Sequence, residues 1–173
     1  MNLRGKKTML RALEPEDNEM LRGMMNDPEI EAMTGGFSFP VSSQQQRDWL
    51  MRLNGEKGVL RCAIVSGEQA AIGTIILSDI DYKNGNAQIS IKIAKKEDRG
   101  AGYGSDAVTA LVEYAFSQLR LKCVYAYISE QNAASCGMFE KCGFKREGLL
   151  RSRIFKNGAF HNTFVYSILN SQE

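Results

Sequence analysis

The chain has 173 residues, 43% hydrophobic and 24% charged, with 22 Lys and Arg against 20 Asp and Glu for a net charge of +2. That is the balance of an ordinary globular domain, long enough to bury a core, so one domain over residues 1–173 is expected and a two-domain enzyme is not. The near-neutral charge leaves no basic footprint for a nucleic acid, and no window approaches the ~20 apolar residues of a membrane span.

The opening Met-Asn-Leu-Arg-Gly-Lys-Lys-Thr is not followed by the apolar stretch of a signal peptide, so a cytoplasmic protein is expected. A short strand is predicted at Thr8 to Leu13, then a helix with Pro15 in its first turn, where a missing N–H costs nothing. Asp27-Pro28-Glu29 opens a second short helix. A third starts after Ser42, with Gln45 completing a capping box, and stops near Asn54-Gly55. From there the pattern turns to β: Leu60 to Val65, a turn at Ser66-Gly67-Glu68, and Ala71 to Leu77. The Asn84-Gly85 hairpin signal leads into a strand that alternates Ile89, Ile91 and Ile93 with Gln88, Ser90 and Lys92, which completes an antiparallel meander.

Gly104 to Leu119 reads as an amphipathic helix, with Val108, Leu111, Val112, Ala115 and Leu119 on one face. Cys123 to Ile128 lacks strict alternation, the pattern of a strand buried on both faces beside a parallel neighbour, joined to the previous strand by a right-handed βαβ crossover. A helix at Ala133 to Lys141 stops at Gly143, and Asn157-Gly158 marks a closing hairpin. The expected fold class is α/β: a mixed antiparallel and parallel sheet of about seven strands with helices on both faces.

The segment Arg99-Gly100-Ala101-Gly102-Tyr103-Gly104-Ser105 lies between a strand and a helix start. Glycines there let consecutive backbone N–H groups converge where the helix end adds partial positive charge, an arrangement suited to a phosphate or pyrophosphate. Arg99 can add a charge-assisted contact. The spacing departs from the dinucleotide fingerprint, because Ser105 takes the third small position, and from the G-x-x-x-x-G-K-S/T loop, because no lysine follows. Cys62, Cys123, Cys136 and Cys142 lie 61, 13 and 6 residues apart and a single histidine, His161, is present, so no metal site is expected. Free thiols that pack rather than react are expected instead.

The Arg99 to Gly104 loop resembles the R/Q-x-x-G-x-G/A acetyl-coenzyme A loop of the Gcn5-related N-acetyltransferases, the GNAT superfamily. Asn132-Ala133-Ala134-Ser135 and Phe139-Glu140-Lys141-Cys142-Gly143-Phe144 resemble that superfamily's N-x-x-S and E-x-x-G-F signature. Glu147-Gly148, Lys156-Asn157-Gly158 and Asn162 are similar to the closing hairpin of the branch holding ribosomal-protein alanine and spermidine acetyltransferases. The Leu10 to Asp17 and Asn26 to Ile30 segments are similar to that branch as well.

The resemblance implies a GNAT-like domain that transfers an acetyl group from acetyl-coenzyme A, its cosubstrate, to a primary amine by direct attack within a ternary complex. It assigns the cofactor's phosphates to Arg99, Gly100, Ala101, Gly102, Tyr103, Gly104 and Ser105, and an oxyanion donor to the backbone around Ile91, Lys92 and Ile93. The pantetheine arm falls to Asn132, whose side chain equally suits a helix cap. Many relatives place a tyrosine beside the sulfur, where this chain has Phe139. In the alanine enzymes the N-x-x-S serine is a proposed proton donor, which Ser135 matches, making it the catalytic candidate beside a cofactor contact. A general base stays unassigned: Gln88 stands where relatives often have a glutamate, Ile154 occupies the closing-strand position, and Glu14, Glu29, Glu31 and Glu130 cannot be placed from sequence alone.

Seven acids and one base lie between Glu14 and Glu31, in the region that forms part of the family's acceptor wall, either as a wall for a cationic acceptor or as a solvated helix face. Phe37, Phe39 and Trp49 either line a less charged pocket or form a small core, and Ser38-Phe39 stand before Pro40 where polyamine enzymes tend to carry an acidic pair. The acceptor expected is a protein N-terminus or a small-molecule amine. A polyamine such as spermidine is the alternative, and a coenzyme A- or nucleotide-binding module without turnover is the alternative from another class. Relatives often pair as homodimers, although no segment of this sequence marks an interface.

Overall fold

The computed structural model describes residues 2–36, 39–53, 57–67 and 70–171. Phe37, Ser38, Asn54, Gly55 and Glu68 therefore lie outside the described residues. Eight strands form one sheet: β1 (Leu3–Arg4), β2 (Thr8–Arg11), β3 (Leu60–Ser66), β4 (Ala71–Asp81), β5 (Asn86–Ile93), β6 (Cys123–Ser129), β7 (Lys145–Lys156) and β8 (Ala159–Leu169), in spatial order β1-β2-β3-β4-β5-β6-β8-β7. Among the described residues five α-helices accompany it: α1 (Asn18–Asn26), α2 (Pro28–Met33), α3 (Ser43–Arg52), α4 (Tyr103–Ser117) and α5 (Ala133–Lys141).

Local chemistry sets the boundaries. Pro15 opens a 3₁₀ turn, Pro15–Asp17, rather than the α-helix itself, which begins at Asn18. Asp27 caps α2 by accepting from the Glu29 and Ile30 N–H groups, and Ser42 and Gln45 form the expected capping box on α3. Gly143, at φ 89°, ends α5 where its sequence said it would. Helix α4 stops two residues short of Leu119, and Arg120, at φ 56°, turns the chain toward β6.

Among the neighbouring strand pairs, β5 and β6 alone run parallel, joined through α4, and they pair over only three positions, Asn86↔Cys123, Ala87↔Val124 and Gln88↔Tyr125. Beyond them the two strands part. The main core lies under α4, where Val108, Leu111 and Ala115 pack with Ile75, Leu77, Ile89 and Val124, all essentially inaccessible to solvent. Burying one such Leu or Ile contributes about 1.5–3 kcal/mol. A smaller cluster, Leu21, Met24 and Ile30, joins α1 and α2.

Three expectations are corrected. The sheet has eight strands rather than about seven, because a two-residue β1 pairs with β2. Strand β4 runs on to Asp81 through an irregularity after Ser78, with Asp79 at φ 50°. Strand β6 is buried on one face only: Val124, Ala126 and Ile128 face the core while Tyr127 is 49% exposed, since β5 has diverged from it by that point.

Candidate active site

The parting of β5 and β6 opens a cleft of about 490 Å³. One wall is the end of β5, another the glycine loop and first turn of α4, a third the first turns of α5, and Ile30, Met33 and Thr34 of the α2 region close it. Ala94 donates its N–H to the Ile72 carbonyl at 2.8 Å, and N–H groups along a strand alternate between its two edges. Those of Ile91 and Ile93 therefore face the edge β6 has left, while that of Lys92 faces β4.

The glycine loop is shaped by backbone conformation. Gly100 and Gly102 stand at φ 78° and 88°, where a side chain is strained, and Gly102 is the N-cap of α4. The Asp106 N–H makes the bond to the Gly102 carbonyl that starts the helix, which leaves the N–H groups of Tyr103, Gly104 and Ser105 at the open helix end. Gly100, Gly102, Gly104 and Ser105 line the cleft; Ala101 and Tyr103 belong to the same loop without lining it. The Ser105 hydroxyl donates to the Gly102 carbonyl at 3.0 Å.

Arg99 lines the cleft, but its guanidinium is turned onto the strand, donating to the Ile93 and Ala94 carbonyls at 3.3 and 3.2 Å, with Glu29 3.8 Å away. Asn132 uses both ends of its amide. The oxygen accepts from Ser135 N–H at 3.1 Å, capping α5, and the nitrogen donates to the Met33 carbonyl at 3.2 Å, tying α5 to α2. Ser135 lines the cleft from the first turn of α5. Phe139, one turn on, faces the core, edge-on to Phe144 at 4.9 Å.

Two cations here were not singled out by sequence. Lys7 reaches from before β2 to donate to the Ala101 carbonyl at 3.0 Å, and Lys141 lines the cleft from the last turn of α5. Nothing local marks Lys7, 94 positions from its partner; Lys141 lies inside the signature segment Phe139 to Phe144, which gave it no role of its own. Asp106 holds the loop from behind. Its carboxylate accepts from the N–H groups of Lys6, Lys7 and Thr8 and from the Thr8 hydroxyl, at 2.7–2.9 Å. Desolvation pushes this carboxyl up, and those bonds outweigh it, so the group sits below its ordinary value.

The candidate bases are otherwise engaged. Glu31 pairs with the buried Lys156, Glu130 accepts from the backbone and side-chain nitrogens of Asn162, and Glu14 does not line the cleft. Gln88 sits in register between Ser78 and Tyr125, and Ile154 opposite His161; neither lines the cleft. Asp98 supplies the cleft's one described carboxylate, at the start of the glycine loop. The four cysteines are free. Burial pushes the Cys62 thiol up to about 11 and raises that of Cys142, so neither is an activated nucleophile. Among the described residues no cluster of side chains could hold a metal ion, and no helix is long and apolar enough to cross a membrane.

A helix N-terminus faces the strand edge that β6 has left, and the family model described as "Acetyltransferase (GNAT) domain" matches residues 7–145. The chain belongs to the GNAT acetyltransferase family. Among GNAT relatives, an uncharacterized N-acetyltransferase, p20, of Bacillus licheniformis is 30% identical over 167 residues, covering 94% of this chain and 93% of the relative. The spermidine N(1)-acetyltransferase of Vibrio cholerae is 29% identical over 164 residues, covering 94% and 93%. The same GNAT fold appears in the crystal structure of spermidine N-acetyltransferase from Vibrio cholerae in complex with CoA and spermine, with a TM-score of 0.88 over 96% of this chain and 97% of that one at 24% identity.

Proposed function

We propose that this protein transfers the acetyl group of acetyl-coenzyme A directly to a primary amine, on a small molecule or a protein N-terminus, without an acyl-enzyme. The observation that carries the reading is the meeting of an open helix N-terminus, Tyr103 to Ser105, with the strand-edge N–H groups of Ile91 and Ile93 across one cleft.

The residues present fit the cosubstrate. Gly100 and Gly102 hold the backbone of the loop in a left-handed conformation, and a Cβ at Gly102 would press within 3.2 Å of the Lys7 Nζ. Gly100, Ala101, Gly102, Tyr103, Gly104 and Ser105 would hold the pyrophosphate, with Lys7 and Lys141 adding positive charge nearby. Arg99 acts in this reading as a buttress of the strand end rather than as a first phosphate contact. Asn132, as cap of α5 and link to α2, shapes the wall beside the pantetheine arm.

When bound, acetyl-coenzyme A supplies an acetyl group activated as a thioester. The N–H groups of Ile91 and Ile93 then offer donors to a carbonyl oxygen on which negative charge builds, with Lys92 between them. A C–N bond forms as the C–S bond breaks, the amine nitrogen loses a proton and the sulfur gains one. The Ser135 hydroxyl is the donor that lines the cleft on the α5 side, since Phe139 is buried and has no proton to give.

A polyamine acceptor is the second reading, favoured by the spermidine N(1)-acetyltransferase relative. Thiol release measured against amine concentration tests the function itself. Saturable, amine-dependent release is expected; a protein that binds acetyl-coenzyme A but releases no thiol with any amine would refute transfer.

A further inference from the structure

A second cavity, of about 540 Å³, lies on the sheet face opposite α4. Strand register builds its floor: Arg61, Ile76 and Ser90 stand abreast across β3, β4 and β5, and Thr74 and Lys92 form the next row. Side chains of α1 and α3, with Trp49 the largest, form the roof, and Phe39 and Pro40 flank it. Ile91 and Lys92 line this cavity and the first cleft alike, so the two meet at the strand edge where the N–H groups converge. An acceptor amine entering here reaches the end of β5 from the side away from the glycine loop.

The described lining of this cavity is largely apolar. Among its described lining residues there is no Asp or Glu; the polar groups are Gln45, Gln46, Thr74 and Ser90, and the charged ones are Arg61 and Lys92. The acidic run of Glu14 to Glu31 does not reach it. Asp17 is bound to Arg11 and Glu19 to Arg22, Asp27 caps α2, and Glu31 is taken by Lys156. Glu14, Glu16 and Glu29 line neither cleft. A second cationic nitrogen would thus enter an apolar chamber with no described counter-charge, beside two cations. The Arg61 guanidinium, 6.0 Å from the Trp49 ring, has five N–H donors and can serve an acceptor on a ligand as well as partners in the protein.

Resting on the acetyl-transfer reading, we infer that the acceptor is a monoamine whose apolar body carries a carboxylate, as in an apolar α-amino acid, rather than a polyamine. The aromatic and aliphatic roof takes the body, Arg61 the carboxylate, and the amine lies toward Ile91 and Lys92. Burial, and after it the nearby charge of Lys156, lower the Lys92 ammonium, so this junction disfavours a further positive charge.

The test is a comparison of kcat/KM for phenylalanine, 2-phenylethylamine and spermidine, alongside calorimetric binding of acetyl-coenzyme A. Phenylalanine should exceed spermidine by about tenfold or more, with 2-phenylethylamine between them. Arg61→Gln should erase the advantage of phenylalanine over 2-phenylethylamine. Gln45→Glu, which preserves the α3 capping box while placing a carboxylate in the cavity, should raise the spermidine rate and keeps the test alive if Arg61→Gln fails to fold. Acetyl-coenzyme A binding with spermidine the best acceptor, or with none of the three turned over, would overturn this inference and leave the cosubstrate assignment intact. No binding of acetyl-coenzyme A would overturn both.

Discussion

Gly102 concentrates the demands of the loop on one residue. At φ 88° it caps α4, lies 3.2 Å by its missing Cβ from the Lys7 ammonium, and lines the cleft. Gly102→Asp adds left-handed strain of roughly 1–2 kcal/mol and sets a negative charge where phosphates would sit, so acetyl-coenzyme A affinity should be lost while the fold survives. Calorimetry with a parallel circular dichroism melt checks both parts, and unchanged affinity would remove the loop from the site. Ser135 makes a different prediction. Ser135→Ala should lower kcat by about a hundredfold with a smaller effect on cofactor affinity, because a hydroxyl that delivers a proton acts chiefly in the transition state. Turnover equal to the parent's would reassign the proton to another source. At this scale the sequence was informative where residues sit together: the glycine loop and Asn132 to Ser135 are contiguous. Lys7 was invisible because its contact crosses 94 positions, and sequence could not show that the Arg99 guanidinium donates to the carbonyls at the end of its own strand.

Helix α4 is held in place by two different means. Its first turn is clamped to the β1–β2 hairpin through Asp106, and its apolar face fills the core. Asp106→Asn replaces an all-acceptor group by one with an N–H₂ facing N–H donors, and should cost about 1–3 kcal/mol of stability in a denaturant melt at neutral pH. The pH dependence follows from the direction of the Asp106 shift. Its folded pKa lies below the ordinary 3.8, so its contribution is complete above that value and is lost as pH falls through the folded one. The parent should therefore lose stability more steeply below about pH 4 than the Asn variant; parallel acid limbs would contradict the clamp. Element boundaries were readable wherever a cap declared them, as at Ser42, Asp27 and Gly143. They were not readable at β1, two residues whose pairing depends entirely on β2, or at β4, whose extension passes through polar Ser78 and Asp79.

Across the whole molecule, one departure from regularity creates the site. Strands β5 and β6 pair over three positions and then separate, exposing a strand edge to which α4 and α5 bring their N-termini on one face while α1 and α3 cover the other. The core under α4 sets how firmly that arrangement is held. Leu111, fully buried in the core cluster, should cost about 2–5 kcal/mol when cut to Ala, read as a lowered denaturation midpoint. A cost under 1 kcal/mol would mean that α4 is held mainly by its clamp. The α/β class, the meander and the crossover were legible because they follow from hydrophobic period and turn chemistry. The second cavity was not: its floor joins Arg61, Ile76 and Ser90 from three strands, a neighbourhood that exists only once register is set. Phe39 and Trp49 were singled out as pocket residues and do line it, whereas the acids before them turned out to be paired or elsewhere.

The central claim is that the splayed cleft holds acetyl-coenzyme A. Calorimetric titration of the purified protein with acetyl-coenzyme A, with NADH and ATP as controls, tests it most directly. Saturable binding of acetyl-coenzyme A and neither control, abolished in Gly102→Asp, is the predicted result. Failure of the parent protein to bind acetyl-coenzyme A, or equal binding of NADH or ATP, would contradict it.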